Sequence, residues 1–273
     1  HYPLRRQRQM CIRDRTDTLD NKVHIIQSKN IVVATGPFTD QTMEKLTSNW
    51  KPVILPSKGS HIWLHKTALS INNAMVLQTK DNRIIFVIPQ RNAILVGTTE
   101  IPLQSTDNYK DLKPSEEEIN YLLSEVNHYF PDSNVSKDDM AANFSGVRPL
   151  VKDGHKSSKV SRKHKIFIPQ ENFYVITGGK YTTFRKMAQE LNQKLFKQMN
   201  WNYDKKLSLT PLRTISIIED PNDSPITKKI LDEIILKEKV RTKEDLIERR
   251  LSLPSLSFLK DREAQKEVRD FKL

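Results

Sequence analysis

The stretch VITGGKYTTFRKMAQEL, residues 175–191, decides how this chain is read. An apolar run, FYVIT, ends in Gly178-Gly179, two of only seven glycines in 273 residues. Lys180, two threonines and a helical pattern follow, so a strand meets a helix at a glycine pair beside a cation. The first turn of a helix leaves amide donors without intrahelical partners and carries partial positive charge. Glycines before it let another group approach the backbone closely, and Lys180 adds a full charge. Phosphate suits such a turn, and so does a flavin ring, whose reduction puts negative charge on its N1–C2=O edge. Taken locally, the plainer reading of the same residues is a tight strand-to-helix turn with Thr182 or Thr183 as N-cap.

Outward from this stretch, VHIIQSKNIVVAT (23–35) reads as two short strands joined by a polar turn and ending at Gly36-Pro37. VILPSKGSHIWLH (53–65) alternates after Gly59, with His61, Trp63 and His65 on one face and Ile62 and Leu64 on the other. AMVLQT (74–79), RIIFVIP (83–89) and AILVGTT (93–99) follow at hairpin spacing, with a turn at 90–92, and predict an antiparallel meander. PSEEEINYLLSEVNHYFP (114–131) predicts a helix opened by a Ser115–Glu118 capping box and stopped by Pro131. Its apolar stripe is Ile119, Leu122, Leu123, Val126 and Phe130. ANFSGVRPLV, KIFIPQ and FYVITG are strand-like, and the helix after Gly179 puts Phe184, Met187, Ala188, Leu191 and Leu195 on one face. From about residue 200 the chain is Lys-rich and helical, with a second capping box at Thr242 and Asp245. An incomplete α/β start, an antiparallel sheet, a return strand and helix, and a helical tail together predict α+β or a two-domain flavoprotein.

Composition sets the outer limits. An apolar fraction of 37% and a charged fraction of 29% suit a protein with a buried core. No stretch approaches the roughly 18 apolar residues of a membrane span. The formal charge of +12 draws polyanions, but it is spread along the chain and no zinc-finger, helix-turn-helix or RNA-recognition signature accompanies it. A basic nucleic-acid- or membrane-binding module is therefore the alternative of another class. Residues 1–15, HYPLRRQRQMCIRDR, hold five arginines and one acid in a chain that otherwise prefers lysine, and read as a non-native leader. Without them the charge falls to +8 and the lone cysteine, Cys11, is gone. One cysteine allows no intrachain disulfide and no thiolate cluster, which fits a reducing compartment.

Several residues carry chemistry on their own terms. Arg148 in FSGVRPL lies inside an apolar run, where a guanidinium is costly unless it meets an anion, be that a structural carboxylate or a ligand. SRKH places Arg162 and His164 in a basic loop, either solvated or phosphate-binding. His61 is a structural strand histidine or, as a neutral imidazole, a proton acceptor for a substrate hydroxyl. VGTTE (96–100) ends a strand in a polar turn. GxSxG, HExxH, CxxC, GxxxxGK[ST] and GxGxxG are all missing from the sequence.

In order, VVATGPFTD, PSKGSHIWL, RIIFVIPQ, ILVGTTE, EEEINYLLSEVNHYFP, FSGVRPLV, SRKHKI and VITGGKYTTFRKMA resemble successive blocks of the FAD-dependent, quinone-linked glycerol-3-phosphate dehydrogenases. The resemblance covers roughly residues 30–190, and KVRTKEDLIERRLSL resembles part of that family's helical C-terminal domain. It implies a D-amino-acid-oxidase-like FAD oxidoreductase fold. Residues 16–50 and 166–199 then belong to the FAD-binding domain, 51–165 to an antiparallel substrate-binding domain and 200–273 to a helical domain. It implies oxidation of sn-glycerol 3-phosphate to dihydroxyacetone phosphate, with hydride leaving C2 for flavin N5 and electrons passing to membrane quinone. Carried over by position, Arg148, Arg162 and Lys180 become the cations around the substrate phosphate and flavin edge. His61 becomes the base or orienting group at the hydroxyl. Thr35, Gly36, Gly179, Lys180, Tyr181, Thr182 and Thr183 become the FAD contacts.

The family's glycine-rich dinucleotide fingerprint and an early substrate-site arginine belong to an N-terminal stretch that this chain lacks. The expectation is an N-terminally truncated piece that binds FAD poorly and turns over little by itself. A glycerophosphate oxidase or another FAD-dependent hydroxy- or amino-acid oxidoreductase of the same fold is the alternative. The resemblance further implies a cytoplasmic protein, peripheral at the inner face of the membrane and touching anionic lipid, with room for a homodimer and no nucleic-acid partner.

Overall fold

A computed structural model describes residues 12–16, 21–90, 93–105, 107–152, 163–211, 227–251 and 262–270. The chain divides into two compact units, one of residues 1–57, 102–107 and 147–211, the other of residues 58–101, 108–146 and 212–273.

In the first unit, strands β1 (Ile12–Thr16) and β2 (Val23–Gln27) form an antiparallel hairpin, so part of the arginine-rich opening is paired. A three-stranded sheet follows, with β11 (Phe173–Thr177) between β3 (Ile31–Val33), which runs parallel to it, and β10 (Lys165–Gln170), which runs antiparallel. Every residue of β11 is buried, which is why FYVIT reads as an unbroken apolar run rather than an alternating one. Its odd-numbered side chains, Phe173 and Val175, pack with Val33 and with Met43 of helix α1 (Thr39–Leu46). Its even-numbered ones, Tyr174 and Ile176, pack with Met187, Leu191 and Leu195 of helix α3 (Phe184–Gln198). Phe184, expected on that same apolar face, is instead 58% exposed. Asp40 is buried in this unit and accepts from Trp50 Nε1 and from the backbone amides of Val53 and Ile54, tying α1 to the start of β4 (Ile54–His65).

The second unit carries the expected meander, β5 (Met75–Gln78), β6 (Ile84–Gln90) and β7 (Ala93–Gly97), in a sheet ordered β5-β6-β7-β4-β8. Strand β8 is Ile101–Pro102, and β9 (Met140–Val151) also pairs with β4. Helix α2 (Glu116–Tyr129) covers one face, its Ile119, Leu122, Leu123 and Val126 packing on Ile62, Leu64, Ile85, Val87, Ile94 and Val96. The period-two pattern of β4 thus put Ile62 and Leu64 inside, leaving His61, Trp63 and His65 on the other face. The capping box at Ser115 and Glu118 is present. Helices α4 (Lys228–Lys237) and α5 (Arg262–Asp270) share a small core of Leu231, Ile234, Val240, Leu246, Leu251 and Val268. Between them Asp245–Arg250 forms a π-helical turn, with the Asp245 amide donating to Thr242 Oγ1. Among the described residues no helix is long and apolar enough to cross a membrane.

Candidate functional site

In the first unit, β3 and β11 lie parallel with Val33 opposite Val175, so both strands end at the same edge of the sheet. Each end turns on glycine with positive φ: Gly36 at +55°, Gly178 and Gly179 at +79°. Each glycine turn then leads through one 3-10 turn into a helix, Gly36–Phe38 into α1 and Tyr181–Thr183 into α3. In open α/β sheets, ligands bind outside the carboxyl ends of parallel strands, where helix starts offer free amide donors.

The two glycine turns differ in their surroundings. Among the described residues a Cβ at Gly36 would meet nothing within 4 Å, so the backbone there is open to approach. A Cβ at Gly178 would meet Val151 Cγ2 at 2.7 Å and the Lys163 carbonyl at 2.9 Å, and one at Gly179 would meet Met187 Sδ at 2.5 Å. The pair is thus wedged between the end of β9, residues 163–164 and α3. That wedge brings three sequence blocks together: the strand of Arg148, the segment after Arg162, and GGKYTT.

The individual residues fall as follows. Thr35 is exposed, just before Gly36. Lys180, Tyr181 and Thr182 are exposed, Tyr181 at 93%. Thr183 closes the turn instead of capping α3, its hydroxyl donating to the Lys180 carbonyl at 2.9 Å and accepting from the Lys180 amide at 3.1 Å. Arg148 is half-buried on β9. Arg162 lies outside the described residues. His164 is not a solvated member of a basic loop: its Nε2 stands 2.8 Å from Glu190 Oε2 on α3. The aromatic rings of Tyr181 and Phe184 stand 6.3 Å apart, both exposed beside the glycine pair.

His61 belongs to the second unit, on β4, opposite Gly97 of β7. Its ring stacks on Phe144 at 4.9 Å and 5°. It also occupies the space that a Cβ on Gly97 would take, 2.2 Å from His61 Cδ2. Behind the strand lies a buried polar cluster around Glu118 of α2, which is 4% exposed. Its Oε1 accepts from Ser60 Oγ at 2.7 Å and Thr99 Oγ1 at 2.6 Å. Its Oε2 meets Lys58 Nζ at 2.6 Å and the Ser115 amide at 2.9 Å. Burial opposes the charge, yet Lys58, Thr99, Ser115 and Ser60 outweigh it and hold the carboxyl down at about 2 against an ordinary 4.5.

Sequence reasoning missed Gly97, Phe144 and the inward role of Glu118. In the sequence VGTTE reads as a turn and EEEIN as a helix start, and only strand register brings them to KGSH. It missed Thr39 as well, whose buried hydroxyl donates to the Gly36 carbonyl at 2.7 Å.

Residues 5–184 match the model of a family described as FAD dependent oxidoreductase. The aerobic glycerol-3-phosphate dehydrogenase of Staphylococcus haemolyticus (strain JCSC1435) is 34% identical over 201 residues, covering 72% of this chain and 35% of that protein. The mitochondrial glycerol-3-phosphate dehydrogenase of Rattus norvegicus is 34% identical over 206 residues, covering 74% of this chain and 27% of that protein. Among solved structures, the glycerol-3-phosphate dehydrogenase from Bacillus halodurans complexed with FAD superposes with a TM-score of 0.64 at 26% identity, over 72% of this chain and 38% of that one. The chain spans about a third of the length of these relatives. With two-thirds of its residues inside the family match and a fold to go with it, the chain belongs to the FAD-dependent oxidoreductases.

Proposed function

We propose that this chain serves the FAD-dependent oxidation of sn-glycerol 3-phosphate to dihydroxyacetone phosphate, with electrons passed to a membrane quinone. One observation carries the reading: the shared carboxyl edge of β3 and β11, with Gly36, Gly178-Gly179 and two helix starts upon it. The names of the relatives supply the substrate.

The edge fits the flavin half of FAD. Gly36 leaves the backbone bare, the first turn of α3 offers amide donors, and Tyr181 and Phe184 expose apolar ring surface that gains from cover. Thr35, Gly36, Gly179 and residues 180–183 would hold it there. The sequence contains no GxGxxG to cradle the pyrophosphate, so the isolated chain is expected to retain little FAD.

When bound, FAD supplies the acceptor for the hydride that leaves substrate C2. His61 takes the proton released from the adjoining hydroxyl, so that the alcohol carbon becomes a carbonyl without a free alkoxide. Arg148, Arg162 and Lys180 neutralise the substrate phosphate, the arginines as planar forks and the lysine as a point charge. The first-turn amides of α3 favour the negative charge that builds beside them. The enzyme would work as a peripheral protein at the inner face of the membrane, its positive charge, +8 without residues 1–15, drawn to anionic headgroups.

The test is anaerobic bleaching of flavin absorbance in an FAD-loaded enzyme carrying these residues, followed by reoxidation with a soluble quinone or with oxygen. Bleaching by sn-glycerol 3-phosphate and rapid reoxidation by quinone are the expected results. Reoxidation by oxygen alone would make it an oxidase. Bleaching by amino acids but not by glycerol 3-phosphate would overturn the substrate.

A further inference from the structure

We propose that Glu118 is the positioning residue for His61, holding its imidazole by gripping Ser60 and Thr99 and, through Ser60, Ser145, the near neighbours of His61, Gly97 and Phe144. The inference rests on the reading of His61 as the group at the substrate hydroxyl.

The His61 ring is bounded by its own strand, by the face of Phe144 and by the bare backbone of Gly97. Each is bracketed by a residue of one buried network. Ser60 immediately precedes His61, and its hydroxyl donates to Glu118 Oε1 at 2.7 Å. Ser145 immediately follows Phe144, and its hydroxyl lies 2.7 Å from that of Ser60. Thr99 lies two residues beyond Gly97. Its hydroxyl donates to Glu118 Oε1 at 2.6 Å and accepts from the Ser60 amide at 2.9 Å. One carboxylate therefore sets the spacing of the strands that cage the ring.

The choice of an acid follows from hydrogen-bond counting. Ser60 Oγ, Thr99 Oγ1, Lys58 Nζ and the Ser115 amide are four donors converging from three directions, and only an ionised carboxylate offers acceptors for all of them. Lys58 also donates to the Lys113 carbonyl at 3.3 Å, which holds the counter-charge in place. A buried network satisfied at every atom is rigid, and losing one member leaves others unpaired. A helix cap alone requires none of this: the capping box uses the Ser115 contacts, whereas Oε1 points wholly at the strands.

The experiment is histidine-labelled NMR of the 273-residue chain, with the His61 ring resonances assigned by loss in His61→Gln. Gly97→Ala, which puts a methyl where the ring sits, sets the size of shift for a displaced imidazole. Glu118→Ala is expected to move the His61 ring resonances in the same sense, while Glu118→Gln, which keeps the side-chain shape, moves them less. Unmoved His61 resonances in folded Glu118→Ala would overturn the proposal. If Glu118→Ala does not fold, Ser60→Ala decides in the same way: a shift supports the proposal and no shift overturns it. In an FAD-loaded enzyme carrying these residues, Glu118→Ala should lower kcat by about 10- to 100-fold with KM little changed, the signature of a misplaced group rather than lost binding. Should His61→Gln leave turnover intact, the role of His61 at the substrate falls, and the ring shifts still judge Glu118 on their own.

Discussion

The hydroxyl of Thr39 stands 3.4 Å from that of Thr177, although 138 residues separate them in the chain. Both side chains are buried, and Thr39 also donates to the Gly36 carbonyl at 2.7 Å. This pair fastens the start of α1 to the end of β11, so the two glycine turns are held as one edge. Thr39→Val removes the hydroxyl at nearly constant volume and leaves the Gly36 carbonyl without that donor. It should lower stability in urea by about 1–3 kcal/mol. No loss would show that the edge is fastened by other contacts.

Gly36 and Gly178 should respond unequally to alanine. Both have positive φ, but only Gly178 is enclosed, its Cβ falling 2.7 Å from Val151 and 2.9 Å from the Lys163 carbonyl. Gly36→Ala should cost about 1–2 kcal/mol from the backbone conformation, and Gly178→Ala measurably more in the same denaturation series. Equal costs would contradict the wedged position of the glycine pair.

Leu191 and Phe184 lie on the same helix and separate packing from display. Leu191 is buried against Tyr174 and Ile176, so Leu191→Ala should cost about 2–5 kcal/mol. Phe184 is exposed, and Phe184→Ala should stay within about 0.5 kcal/mol. If Phe184 serves the cofactor edge, the same change weakens FAD retention in a loaded enzyme without altering the melting temperature of the isolated chain.

Glu118 ties stability to acid. Its carboxyl is held at about 2 in the fold against an ordinary 4.5, so the unfolded chain binds more protons between those values. Its contribution is complete above about pH 4.5 and is lost as pH falls through 2. Urea midpoints measured from pH 5 downward should therefore fall less steeply in Glu118→Gln than in the parent chain. Parallel curves would mean that the carboxylate is not paired as described.

How much of this was legible in the sequence depends on where each partner lies. FYVIT-GGK announced a buried strand, a glycine turn and a helix because all three are local. The Ser115–Glu118 cap was legible for the same reason. The second use of Glu118 was not, because Ser60 is 58 residues away and only strand register brings it close. The parallel pairing of β3 with β11 was equally hidden, since a three-residue strand leaves almost no pattern. Phe184 has the helical spacing of a core residue but sits one turn before the face that meets β11, so periodicity placed it inside and packing left it out. His164 was legible as a basic residue, but its Glu190 partner lies on another element, 26 residues on.

Recognition of a substrate phosphate by Arg148 and Lys180 is the central claim. Steady-state kinetics of an FAD-loaded enzyme carrying these residues, with Lys180→Ala and Arg148→Ala beside the parent, test it most directly. A lost charge-assisted contact worth about 1.5–3 kcal/mol should raise KM for sn-glycerol 3-phosphate by about 10- to 100-fold in each variant. An unchanged KM in both would contradict it.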